Sequence, residues 1–286
     1  MKRLVIFTAL LFASCASTNE LGYKTKTKPW NLSVLSSKEV KMAYDLINYG
    51  LEHEALYTLL DTLKPISSLG FSMSYPIAKA GEMKDGDREI ADLGADSVLM
   101  ALAELDSWNR ILKELSTDEL EFMLIPFKKT WQGKRNLQIL VCRRDLLAKL
   151  MTDKAEFFGQ WGFTANSDPS TILTALEFED RNDRYRAYGY LFGYPDHAVN
   201  FFVKASIQSE ESGQFVERDF FHIPVSAGTK GYFTYAIPKG YIPTRSDSSI
   251  YERAQFTLQK YLKSKSQAIL PNGETDAFQL VSSYWK

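Results

Sequence analysis

Behind a capping-box pair, Ser36 and Glu39, the residues Val40, Ala43, Tyr44, Ile47 and Leu51 recur at helical spacing, and the stripe runs on through Leu56, Leu59 and Leu60 to Leu63. A helix with one apolar face along its whole length must bury that face against other parts of the chain. This segment therefore commits the protein to a packed core. Pro65 ends the stripe, and Gly50 offers a break between two shorter helices. A second stripe, Val98, Leu99, Leu102, Leu105, Trp108, Ile111, Leu112 and Leu115, predicts another long helix. A second capping-box spacing, Ser116 to Glu119, predicts a third that opens with Leu120, Met123 and Leu124.

Beyond residue 130 the pattern is mixed. Residues 137 to 142 form an apolar run of strand length, residues 146 to 161 have helical spacing, and Asp168-Pro169 is a helix start with proline early in the first turn. Residues 184 to 192 fit a helix, with Tyr188 and Leu191 inward, somewhat better than a strand. Residues 215 to 225 and 232 to 237 read as two strands joined by a loop over 226 to 231, and a last helix is expected from near Ser246 to Ser249 past Tyr261. Helices outnumber strands and do not alternate regularly with them. This predicts the α+β class, with a mainly helical N-terminal half and a C-terminal half of helix and antiparallel strand. A division of the globular region 36–286 into a helical 36–130 part and a mixed 131–286 part is open.

At the N-terminus Lys2 and Arg3 precede an apolar run from Leu4 to Ala13, too short to cross a bilayer as a mature helix, which leads into Phe12-Ala13-Ser14-Cys15. This junction resembles the lipobox of bacterial lipoproteins, with Phe12 in place of the commoner leucine. The resemblance covers the first 15 residues. It implies a signal peptide over residues 1–14, Cys15 as the lipidated first residue carrying acyl chains such as palmitate, and a membrane partner reached through that lipid. It also implies residence in the bacterial cell envelope, and the absence of an acidic residue at Ala16 favours the outer membrane. Residues 15–35, where Lys24, Lys26 and Lys28 alternate with threonine before Pro29, then read as the lipidated terminus and a flexible tether. If Cys15 is acylated, Cys142 has no partner for an internal disulfide, and its place at the end of an apolar run reads as a small buried residue.

Charge and motifs exclude several classes of function. With 34 basic against 35 acidic residues and no separated block of either sign, no nucleic-acid partner is expected. The 18 Phe, 15 Tyr and 5 Trp argue against disorder. His53-Glu54 lacks the second histidine of a zinc-protease helix, and with three histidines in all no short multi-histidine motif can form. No nucleophile elbow, Walker loop or Gly-x-Gly-x-x-Gly is present, so neither a metal nor a cofactor is expected. Asp85-Gly86-Asp87-Arg88-Glu89, followed by Asp92 and Asp96, imitates a calcium loop. Ile90 occupies the position that needs glycine and Asp96 replaces the closing glutamate, so a turn leading into a helix is the better reading.

The most unusual composition lies between Glu177 and Phe202. Glu177, Glu179 and Asp180 are followed by Arg181, Arg184 and Arg186, and Tyr185, Tyr188, Tyr190 and Tyr194 are interleaved with and follow these arginines. In Gly193-Tyr194-Pro195-Asp196-His197 the glycine can end one element and the proline open the next. His197 is then expected in a first helical turn, where exposed N–H groups favour a neutral imidazole able to act as a base. Arg181, Arg184, Arg186, Tyr188, Tyr194 and Tyr235 are the expected ligand-binding residues. The catalytic candidates are His197 and His222, with Asp196 or Glu179 as carboxylate partner. Against these roles, the arginines could simply neutralise the acids beside them and the tyrosines could pack. The leading expectation is an envelope lipoprotein that binds a ligand or protein partner. The alternatives are a cofactor-independent envelope hydrolase with a histidine base, and a structural or assembly lipoprotein.

Overall fold

The computed structural model describes residues 18–19, 22–24, 26–27, 29–76, 94–131 and 134–285. The signal segment, Cys15 and the calcium-like stretch from Asp85 to Asp92 lie outside them. The architecture is α+β, with antiparallel sheets among ten helices of the described residues.

The expected tether is corrected first. Strand β1 (Lys26–Thr27) pairs with β2 (Trp30–Asn31), and Tyr23, Trp30 and Leu32 are buried in the main core. Trp30 Nε1 donates to the Leu115 carbonyl at 2.6 Å, and Lys24 pairs with Asp276 at 2.6 Å. The lysines and threonines advertise solvent, but the three apolar residues among them decide the placement. The folded body reaches back at least to Gly22.

Helix α1 (Ser37–Glu52) starts on its predicted cap. Ser36 Oγ accepts the Glu39 N–H at 3.3 Å, Glu39 Oε2 accepts the Ser36 N–H at 2.9 Å, and Arg110 reaches the other carboxylate oxygen at 2.7 Å. The break falls at His53, after which α2 (Leu56–Leu59) continues, and Gly50 stays helical. Its lack of a side chain serves packing: a Cβ there would lie 2.6 Å from Leu69 Cδ2.

Strand β3 (Ile66–Pro76), helix α3 (Asp96–Leu115), and the hairpin β4 (Leu120–Trp131) and β5 (Lys134–Arg143) follow, in sheet order β3-β5-β4. Strand β4 overturns the expected third helix. Ser116 Oγ donates back to the Leu112 carbonyl at 2.9 Å and accepts the Phe122 N–H at 3.0 Å, so it turns the chain out of α3 into a strand. Leu120 and Phe122 face the main core, while Met123 and Ile125 face a second one. Ile139 and Val141 divide from Leu140 and Cys142 in the same way. The sheet thus separates two cores, and a strand buried on both faces reads as a continuous apolar run, hard to tell from helix. Cys142 is fully buried, and burial pushes its thiol up, away from thiolate chemistry. The pairing of β4 with β5 spans residue 130, so the division there does not separate two bodies.

The second core is closed by α4 (Arg144–Asp153), α5 (Ala155–Phe158), a short 3-10 turn, α6 (Pro169–Glu177) and α7 (Arg181–Leu191), which split the single helix expected over 146–161 and confirm the one over 184–192. Asp168 caps α6, accepting the Thr171 N–H at 2.9 Å. Helix α8 (Asp196–Ser212), the hairpin β6 (Arg218–Val225) and β7 (Gly228–Pro238), α9 (Arg245–Lys265) and α10 (Ala277–Tyr284) complete the described chain. The hairpin turn is tighter than the expected loop, with Val225 paired to Gly228.

Candidate functional site

Between α7 and α8 the chain turns at Gly193, whose φ of 75° is in the left-handed region. A Cβ at this position would also collide with the Leu63 carbonyl oxygen, so only glycine lets the turn lie against residues 63–64. At Gly189 a Cβ would stand 2.8 Å from Val199 Cγ2, which marks where α7 and α8 touch. These two close approaches set the position of the aromatic residues between them.

Tyr185, Tyr188, Phe192 and Tyr194, with Phe202 of α8 and Phe220 and Tyr235 of the hairpin, wall a cavity of about 290 Å³. Tyr185 meets Phe202 edge-on at 5.2 Å between centroids, Tyr188 stacks on Phe192 at 5.5 Å, and Tyr194 lies 5.8 Å from Tyr235. The polar side chains of the lining are Thr234 and the four tyrosines. The Tyr188 hydroxyl is buried with no hydrogen-bond partner among the described residues. Burial, and then the charge of nearby Glu177, push this phenol up.

Tyr235 connects the cavity to a buried carboxylate. Its hydroxyl donates to Asp247 Oδ1 at 2.6 Å, while the Tyr241 hydroxyl, the Thr244 N–H and the Thr244 hydroxyl donate to Oδ2 at 2.9, 2.7 and 2.8 Å. Burial opposes charge on Asp247, but these donors outweigh it and hold the carboxyl at about 2. Asp247 also closes the capping box of α9 with Thr244. His197 stacks on Tyr241 at 5.3 Å, and its Nε2 lies 3.0 Å from Asp247 Oδ1 without the alignment of a hydrogen bond.

The folded-state value of about 2 for Asp247 lies below its usual 3.8. The carboxylate therefore contributes stability that is fully present above pH 3.8 and is lost as pH falls towards 2. Asp247→Asn is expected to remove about 2 kcal/mol at pH 7, by the usual 1.36 kcal/mol per unit. Urea unfolding at pH 7 and pH 2 should show that gap closing in acid, and a gap independent of pH would contradict it.

The other expected site residues lie around this centre. His197 stands in the first turn of α8 as predicted, but Asp196 pairs with Lys154 at 2.7 Å, not with the histidine. Glu179 bonds through its main chain: its carbonyl accepts from Lys128 Nζ at 3.1 Å and its N–H donates to the Leu176 carbonyl at 3.3 Å. His222 is exposed, with Nδ1 3.0 Å from Thr234 Oγ1. His222 is paired with Thr234 across the hairpin and His197 meets Tyr235 edge-on at 6.2 Å, and no contact joins the two histidines among the described residues. Arg181 pairs with Glu210 at 3.7 Å, Arg184 with Glu177 at 3.7 Å, and Arg186 donates to Asn200 Oδ1 at 2.6 Å. None of the three lines the aromatic cavity. Tyr185, Tyr188, Gly189 and Phe192 share one helical stripe, Arg184 and Arg186 flank it, and Arg181 lies a turn before it.

Among the described residues no three His, Cys, Asp or Glu side chains are grouped to hold a metal ion, and no helix is long and apolar enough to cross a membrane. No family model, curated protein or solved structure matches the chain.

Asp247 and Tyr241 are the site residues that sequence reasoning missed. Their one local signal is the Thr244 to Asp247 spacing, a capping box with aspartate in the place of glutamate.

Proposed function

We propose that this chain is an exported, lipid-anchored protein of the bacterial cell envelope that binds a compact aromatic or apolar group between α7, α8 and the β6–β7 hairpin. The cavity carries this reading. Aromatic side chains from α7, α8 and the hairpin line an open hollow of about 290 Å³, a concave and largely apolar lining of the kind that small-molecule sites have. An apolar cavity of about 150 Å³ accepts one benzene, so this one suits a bicyclic ring or a ring with a short substituent. The aromatic lining favours ring-on-ring contact with the ligand. Cys15 behind the apolar run from Leu4 to Ala13 supports the anchor.

Two experiments test the proposal. Titration with 2-naphthol, followed by its fluorescence, should show saturable binding that weakens at least tenfold in Thr234→Phe, whose added ring fills the mouth, with the melting temperature unchanged. Equal affinity in the variant would contradict the cavity. On detergent phase separation of whole cells the protein should enter the detergent phase, and Cys15→Ser should move it to the aqueous phase. A wild-type chain found in the aqueous phase would contradict the anchor.

A histidine-base hydrolase has one observation in its favour, the approach of His197 to Asp247. Asp247 already accepts four hydrogen bonds, and no nucleophile bonds to His197 Nε2 among the described residues. Binding is therefore the better-supported reading. His197→Ala should leave 2-naphthol affinity within twofold, since His197 does not wall the cavity.

A further inference from the structure

A second cavity, of about 560 Å³, lies against the three-stranded sheet and the N-terminal part of α7, and its lining differs in kind from the aromatic one. Its origin is an irregularity in β4. Pro126 pairs with Leu137 and Thr130 with Arg135, so three residues of β4, 127 to 129, stand against the single Asn136 of β5. A bulge of this kind bends its strand and re-aims side chains. Phe127 and Lys129 are thereby brought to the cavity, level with Asn136 and with Ser74 of β3, which pairs with Asn136. Glu177 and Arg184 close the far side.

The charges at this place are unequally used. Arg135 donates to the carbonyls of Phe127 and Lys128, and Lys128 Nζ donates to the carbonyls of Phe178 and Glu179, so both cations hold the frame. Glu177, which is buried, accepts the Lys128 N–H at 3.1 Å and is neutralised by Arg184. Lys129 and Lys134 are exposed, and neither has an acidic partner among the ion pairs of the described residues. Ser74 Oγ donates to Asn136 Oδ1 at 2.9 Å, which leaves Asn136 Nδ2 as a donor. The cavity therefore presents two cations that have no acidic partner among the described residues, an amide donor, a buried carboxylate acceptor and the ring of Phe127.

We propose that this cavity binds an anionic saccharide: a sugar unit carrying a phosphate or carboxylate group. Lys129 and Lys134 take the anionic group, Asn136 and Glu177 take ring hydroxyls, and Phe127 covers the apolar face of the ring. The volume lies within the range of small-ligand sites. Arg184, which was singled out in the sequence beside the tyrosines, belongs to this second cavity and not to the aromatic one.

The test is calorimetric titration of the full chain with glucose 6-phosphate, glucuronate, glucose and inorganic phosphate at low salt. Both anionic sugars should bind, and glucose and inorganic phosphate should each bind at least tenfold more weakly. The double variant Lys129→Gln/Lys134→Gln, at two exposed positions, should lose at least tenfold in affinity for glucose 6-phosphate, with unchanged circular dichroism and unchanged 2-naphthol binding. If phosphate binds as tightly as glucose 6-phosphate, the saccharide assignment is overturned. If neither anionic sugar binds, or the double variant binds like the wild type, the site itself is overturned.

Discussion

Replacing Glu54 with glutamine is expected to cost about 3–5 kcal/mol of folding stability. Lys64 is completely buried, its ammonium bonds to Glu54, and it lies 4.5 Å from the ring centre of Phe233 and 5.2 Å from that of Phe192. Burial lowers the Lys64 pKa and the Glu54 carboxylate opposes that shift. Without the carboxylate the ammonium must shed its proton or stay uncompensated in an aromatic setting. Lys64→Met behaves differently, because Glu54 is 14% exposed and can be hydrated, so a change within about 1 kcal/mol is expected. The double variant should recover most of the loss. The sign with pH follows from the lowered value. Between the folded pKa and the unfolded one of about 10.4 the unfolded chain binds more protons, so stability rises with pH in that window. Urea unfolding of the wild type against Lys64→Met should show that rise in the wild type alone. A loss below 1 kcal/mol in Glu54→Gln would contradict the pairing.

Gly193→Ala is expected to cost about 3 kcal/mol or more, because it adds a backbone collision to the left-handed conformation. Gly213, at the end of α8, supplies the control. Its φ of 68° is similar, but no atom lies within 4 Å of the place its Cβ would take. Gly213→Ala should cost only the conformational term, about 1–2 kcal/mol. The two residues differ in what lies behind them, and for Gly193 that is the Leu63–Lys64 main chain. Displacing this turn shifts Phe192 and Tyr194, so surviving Gly193→Ala protein should also bind 2-naphthol more weakly. Equal thermal shifts for the two variants would contradict the close approach.

What was legible in the sequence was local. The caps at Ser36 and Asp168, the proline before α8 and the tyrosine-rich helix α7 all depend on residues within a few positions of one another. Strand β3 was not legible: Ser67, Ser68, Gly70, Ser72 and Ser74 carry no strand signal, and its pairing, Ile66 with Cys142, is made far along the chain. Strand β4 imitates a helix in sequence because burial on both faces removes its alternation. Tyr188, Tyr194 and Tyr235 line one cavity and Arg181, Arg184 and Arg186 stay outside it, a division that depends on how α7, α8 and β7 pack together and that no local spacing carries. Asp247 was invisible as a site residue, since its four donors come from a strand, a turn and its own cap.

The aromatic cavity is tested most directly by soaking crystals of the protein with 6-bromo-2-naphthol and locating the bromine by anomalous scattering. The bromine should lie between the tyrosine face of α7 and the hairpin residues Phe220, Thr234 and Tyr235. A bromine bound only elsewhere, or a cavity that stays free of it at saturating concentration, would contradict the binding function.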